Sequence, residues 1–238
     1  MPILDEHILY EDAHLVAINK PAGYLVEASA KEKIALEETL SDFLSEKHHQ
    51  TIRVRAVHRL DRRVSGLLLF AKTPEALAGM IKLFKARQVK KTYWAIVANR
   101  PAIPSNTLVH WLTRDKEQNI TFTHNEPQAH SVEATLAYRL LEEANHFFLI
   151  EVFPFTGRTH QIRAQLAAIG CPIVGDYKYG FPREKPRKAI ALHAKQLNFM
   201  HPVSQQAISL QAAIPDAQLW NSFKHASEAL ENSNPFPK

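Results

Sequence analysis

The chain has 238 residues, enough for one large domain or two small ones, and 45% of them are hydrophobic, so a sizeable core can form. No apolar run nears the roughly 20 residues of a membrane helix, the start Met1-Pro2-Ile3-Leu4-Asp5-Glu6 lacks the features of a secretory signal, and one cysteine, Cys171, excludes an intramolecular disulfide and suits a reducing cytoplasm. The net charge of +5 hides an asymmetry: four lysines face ten acids in residues 1–50, eleven basic residues face Asp61 and Glu75 in 53–91, and eight face three acids in 151–200.

In chain order, Ile8-Leu9-Tyr10 and Leu15 to Ile18 are predicted as short strands around a turn at Glu11-Asp12, with Pro21 and Gly23 marking the exit. Leu36, Leu40, Phe43 and Leu44 share one face of a helix that runs to Lys47. A short strand at 54–57 leads into the stretch His58-Arg59-Leu60-Asp61-Arg62-Arg63-Val64-Ser65-Gly66, and the apolar run Leu67 to Ala71 makes a buried strand behind it. One carboxylate, Asp61, thus sits among three arginines and a histidine on a loop rooted in a rigid strand. A surface ion pair would account for an isolated aspartate, so its meaning depends on the residues elsewhere in the chain.

Thr73-Pro74-Glu75 is a helix start, and Leu77, Met80, Ile81 and Phe84 mark its apolar face. Lys90 to Val97 is an aromatic and β-branched strand. Residues 100–131, with Pro101, Pro104 and Pro127, are expected to form an irregular hairpin region. Val132 to Leu140 and Phe147 to Phe153 alternate as an antiparallel pair. Thr156 to Arg163 then opens a helix over Ala164 to Ile169, capped by Gly170. Beyond it come turns at Pro172 to Asp176 and Tyr179-Gly180, a basic loop at 183–188, strands at 196–200 and 207–211, and a helix with a polar tail beyond Pro215. The fold class expected is α+β with a mixed, mainly antiparallel sheet flanked by helices, as one catalytic domain over 1–215 and a C-terminal helix and tail over 216–238.

Three chemistries find no support in the spacing. Thirteen histidines invite a metal, but neither H-E-x-x-H nor paired C-x-x-C is present, so no metal is expected. None of the seven glycines falls in a phosphate-cradling G-x-G-x-x-G or G-x-x-x-x-G-K pattern, so no nucleotide cofactor is expected. Cys171, between Gly170 and Pro172, suits burial better than nucleophilic catalysis. The two basic regions would instead attract a polyanion, most simply nucleic acid. Arg158 and Arg163 flank a strand-to-helix junction where backbone N–H groups also favour anions, and Tyr93 could stack on a base.

His58-Arg59-Leu60-Asp61-x-x-x-Ser65-Gly66-Leu67-Leu68-Leu69 resembles the signature of the RluA branch of the pseudouridine synthases. The resemblance extends over about residues 7 to 212 through Asn19-Lys20-Pro21-Ala22-Gly23, Lys91-x-Tyr93, Gly157 to Arg163, Pro172 to Asp176, Tyr179-Gly180 and Leu192-His193-Ala194. It implies a cofactor-free RNA uridine isomerase acting on a ribosomal or transfer RNA stem-loop, cytoplasmic and monomeric. It also implies that Asp61 is the catalytic carboxylate, Arg163 its charge partner, Tyr93 a platform for the target base, Arg59 an aid to base flipping, and Leu192 part of the base pocket. The chain departs from the usual pattern at Val64, where the family has Thr, and at Gln165, where it often has His. An S4-type RNA-binding domain, which many relatives carry at the N-terminus, is not expected, because the motifs begin near residue 7. The rival readings are a non-catalytic RNA-binding protein or RNA chaperone, which has no need of an anion in a basic groove, and a metal-dependent hydrolase.

Overall fold

The computed structural model describes residues 5–28, 35–182 and 188–226. The chain folds as two compact units, Met1–Lys90 with Ala194–Ala213, and Lys91–His193 with Ile214–Lys238.

In the first unit, β1 (Ile8–Glu11) and β2 (Leu15–Lys20) form an antiparallel hairpin. Asp12 makes its turn: Oδ1 accepts from the backbone N–H groups of His14 and Leu15, both at 2.7 Å, and Tyr10 donates its hydroxyl proton to Oδ2. An aspartate folding back on its own backbone stabilises such a turn. Next to β2 runs β4 (Ser65–Ala71), antiparallel from Leu15↔Ala71 to Lys20↔Gly66, with the two-residue β3 (Arg55–Ala56) also paired to it. Every residue of β4 is buried, as its unbroken apolar run predicts for a strand covered on both faces. β10 (Leu192–Met200) is the next strand, and β11 (Ala207–Gln211) pairs with it antiparallel.

Two helices belong to this unit. α1 (Leu36–Lys47) buries Leu36, Leu40 and Leu44. α2 (Pro74–Lys85) begins as the sequence predicts: Thr73 Oγ1 accepts from Ala76 N–H at 3.3 Å, and Pro74 occupies the first turn. Its buried residues are Ala76 and Met80, while Ile81 is exposed, so the face that packs is turned from the one expected.

The second unit is an antiparallel meander in the order β5 (Lys90–Val97), β9 (Phe147–Pro154), β8 (Val132–Ala144), β6 (Ser105–Asp115), β7 (Ile120–His124). Residues 100–131 are therefore more regular than their prolines suggest. Pro101 and Pro104 precede β6 and Pro127 follows β7, so none interrupts a ladder. α3 (Gln161–Ala168) starts three residues before the expected Ala164 and packs against β6 and β7. Its boundary was obscured because the cap is His160 in a left-handed conformation, φ 55°, rather than a Ser, Thr, Asp or Asn. The helix expected beyond Pro215 is α4 (Gln218–Asn221). The basic loop, apart from Lys188, and the tail from 227 lie outside the described residues. The architecture is α+β, as expected, and among the described residues no helix is long and apolar enough to cross a membrane.

Candidate active site

Asp61 lies half-buried on the loop that enters β4. The loop is pinned on both sides by apolar anchors, Leu60 and Val64, which are 8% and 2% exposed, and Val64 N–H closes a turn onto Asp61 O at 3.0 Å. Burial explains how a valine serves where the family has threonine: the position contributes an apolar contact. His58 adds a further tie. Its Nε2 accepts from Leu69 N–H at 3.2 Å, which places the proton of the neutral ring on Nδ1, and the ring lies 5.2 Å from that of Phe84. Arg59 and Arg62 are exposed beside this loop, so positive charge is presented on a fixed frame.

The residue that clamps the loop is Lys20, whose part the sequence did not reveal. It is fully buried at the end of β2. Its Nζ donates to the carbonyls of Pro21 at 3.0 Å, Tyr24 at 3.2 Å and Arg62 at 3.3 Å, three acceptors for the three protons of an ammonium. Gly23 N–H donates to the same Arg62 carbonyl at 2.6 Å, and Arg62 Nε donates back to Gly23 O at 2.8 Å. The Asn19-Lys20-Pro21-Ala22-Gly23 stretch is thereby sewn to the residue after Asp61. Burial brings the Lys20 ammonium down to about 7; the negative charge of Asp61 opposes this and the Arg62 guanidinium adds to it.

Gly66 shows why Ser65-Gly66 comes after the aspartate. Its φ is 111°, and a Cβ there would fall 2.3 Å from Ala194 O and 2.5 Å from Ala194 N. Only a residue without a side chain lets the β10 backbone pass this close.

Tyr93, Arg163 and Leu192 belong to the second unit. Tyr93 is half-buried on β5, opposite Val152. Arg163 is 5% exposed on α3 and makes a two-pronged pair with Asp176, Nε to Oδ2 at 2.6 Å and Nη2 to Oδ1 at 2.9 Å. Its guanidinium carbon also lies 4.9 Å from the centre of the Tyr179 ring. The Tyr179 hydroxyl accepts from Thr121 N–H and lies 2.9 Å from His160 Nδ1; burial pushes its pKa up. Asp176 and Tyr179 carried no role in the sequence reading. The available signal was Arg163 itself, since an arginine in a buried helix needs a carboxylate. Leu192 is buried at the start of β10.

Gln165, the second departure, is fully buried and links α3 to two strands. Its Nε2 donates to Ala134 O at 3.1 Å and Leu108 O at 3.4 Å, and lies 3.1 Å from His110 Nδ1. The carbonyl partners fix which way the amide points, because they can only accept. The residue is a core cross-link. No group of three or more histidine, cysteine, aspartate or glutamate side chains among the described residues could hold a metal ion.

Residues 14–168 match the family model described as RNA pseudouridylate synthase. The ribosomal large subunit pseudouridine synthase C of Rickettsia prowazekii (strain Madrid E) is 34% identical over 215 residues, covering 90% of this chain and 69% of that one. The tRNA pseudouridine synthase C of Vibrio parahaemolyticus serotype O3:K6 is 30% identical over 254 residues, covering 97% and 100%. The fold is shared with human RNA pseudouridylate synthase domain containing 4, with a TM-score of 0.75 at 24% identity over 93% of this chain and 92% of that one. The match takes in the Asp61 loop, the Lys20 clamp and Arg163 alike, and by it the chain belongs to the RNA pseudouridylate synthase family.

Proposed function

We propose that this chain, a pseudouridine synthase by family, isomerises chosen uridines of ribosomal or transfer RNA to pseudouridine, with Asp61 as the catalytic carboxylate. The observation that carries the reading is the Asp61 loop. A half-buried carboxylate stands on a backbone fixed by Lys20, Gly23 and His58, inside the region that matches the family. Relatives named for ribosomal and for transfer RNA support RNA as the substrate and leave both RNA classes in play.

In the reaction the bond from ribose C1′ to uracil N1 breaks, the base turns, and a bond from C1′ to C5 forms. C5 loses its hydrogen to solvent and N1 gains one, so atoms balance with no oxidant or reductant. Attack on C1′ and proton abstraction at C2′ both need an ionised carboxylate held still, which is what the clamped loop offers. A base inside a helix must first be extruded, at a cost of about a few kcal/mol, and phosphate contacts to basic residues offset it. The roles implied for Arg59 in flipping, Tyr93 under the base, Arg163 as charge partner and Leu192 in the pocket belong to the same proposal, as do a cytoplasmic location and action as a monomer. The reading is tested by mapping pseudouridines in a strain lacking the gene, then asking whether the purified protein releases tritium from C5-labelled RNA of that strain. Release at the lost position is the expected result; a complete map in the deletion strain and no release contradict the reading.

A further inference from the structure

On β5, Lys91 and Tyr93 occupy alternate positions and so point to the same face, about 7 Å apart along the strand. Both are half-buried. Lysines ordinarily carry the ammonium out to water along a buried stem, but the surroundings of Lys91 are dry enough that burial lowers its pKa. Among the described residues it has no hydrogen bond and no ion pair. A desolvated cation without a counter-charge is unfavourable in the free protein, and an incoming anion would relieve it.

The neighbouring turn is built to leave that cation open. The Lys91 Nζ lies against Gly157, 3.6 Å from where a Cβ would stand. Any side chain at 157 would cover the ammonium, whereas glycine leaves it uncovered at an exposed position. The turn itself is rigid. Gln161 Oε1 accepts from Thr156 Oγ1 at 2.8 Å and Arg158 N–H at 2.9 Å, and Gln161 Nε2 donates to Thr135 O at 3.1 Å. Arg158, next in the turn, is exposed, and its Nε makes one long contact of 3.4 Å to Glu133 O.

We propose that Lys91, bared by Gly157 and supported by Arg158, is a subsite for a single RNA phosphodiester adjoining the nucleotide whose base packs on Tyr93. The inference rests on the reading of the chain as an RNA-modifying enzyme and adds a phosphate contact to it. A compact ammonium suits a tetrahedral phosphate oxygen, and a backbone phosphate lies within one nucleotide of every base. The site therefore fixes the register of the strand relative to Tyr93 and leaves base identity to other groups.

The test uses the full chain and, as probe, a synthetic RNA hairpin that the wild-type protein converts. Lys91→Met keeps the stem and removes the charge. It is expected to weaken binding roughly ten- to hundredfold and to flatten the slope of log affinity against log salt by about 0.7, one single-strand phosphate contact. Its melting temperature should equal or exceed the wild-type value, because a desolvated charge has gone; a structural lysine would lower it. Gly157→Ala, free of backbone strain, should weaken binding a few-fold by covering the ammonium. Replacing single phosphates of the hairpin by uncharged methylphosphonates should find one position that matters to wild type and not to Lys91→Met. An unchanged salt slope in Lys91→Met, or no such position, overturns the subsite. A protein that converts no cellular RNA instead overturns the reading of function.

Discussion

Lys20 is a charged residue with nowhere to go. It is fully buried, its three protons meet three carbonyls, and one of those belongs to the residue after Asp61. With a pKa of about 7 in the fold and an ordinary lysine value in the unfolded chain, it couples stability to pH. Between about 7 and about 10.5 the unfolded chain binds more protons at this site, so its contribution to stability rises with pH over that window and is lost as pH falls through 7. Urea unfolding of wild type and Lys20→Met at intervals from pH 7 to 10 should show the wild type gaining on the variant throughout. A constant difference would mean that Lys20 keeps its ordinary basicity in the fold. The sequence showed Asn19-Lys20-Pro21 only as the end of a strand, because a lysine before a proline usually marks an exit to solvent. What inverts that expectation is a set of backbone carbonyls from Pro21, Tyr24 and Arg62, which no local pattern announces. Asp61 was legible for the opposite reason: a lone acid among arginines is a local pattern.

Elements were read well where packing and local preference agree. β4 is a run of apolar residues and is buried throughout; α2 has its threonine cap and its proline. They were read poorly where tertiary structure decides. β6 and β7 looked irregular because prolines bracket them, yet the ladder between Trp111↔His124 and Asp115↔Ile120 is unbroken. The start of α3 was missed because Gln161 ties the preceding turn to Thr135 and Thr156, a task that ordinary capping residues do not perform. At Gly66 the motif and the packing meet. A Cβ 2.3 Å from Ala194 O requires β4 and β10 to separate, and the positive φ adds strain. Gly66→Ala should lower the unfolding free energy by at least about 3 kcal/mol, measured by chemical denaturation. A variant of wild-type stability would show that the two strands part freely there.

At the scale of the whole chain, charge and chemistry have different sources. The excess of basic residues in 53–91 and 151–200 predicts binding that weakens steeply with salt, since each phosphate contact releases counterions. Affinity for RNA that stays flat from low to moderate salt would contradict it. Binding of this kind needs no Asp61, and a chain that only held RNA would gain from losing an anion. The central claim, that Asp61 performs the chemistry, is tested most directly by Asp61→Asn, with single-turnover pseudouridine formation and a filter-binding titration on the same RNA. Asparagine has nearly the shape of aspartate but cannot act as a carboxylate nucleophile or base. The account predicts conversion at background level with affinity equal to wild type or slightly tighter, since a negative charge has left a site that receives phosphates. Conversion at the wild-type rate in Asp61→Asn would contradict it.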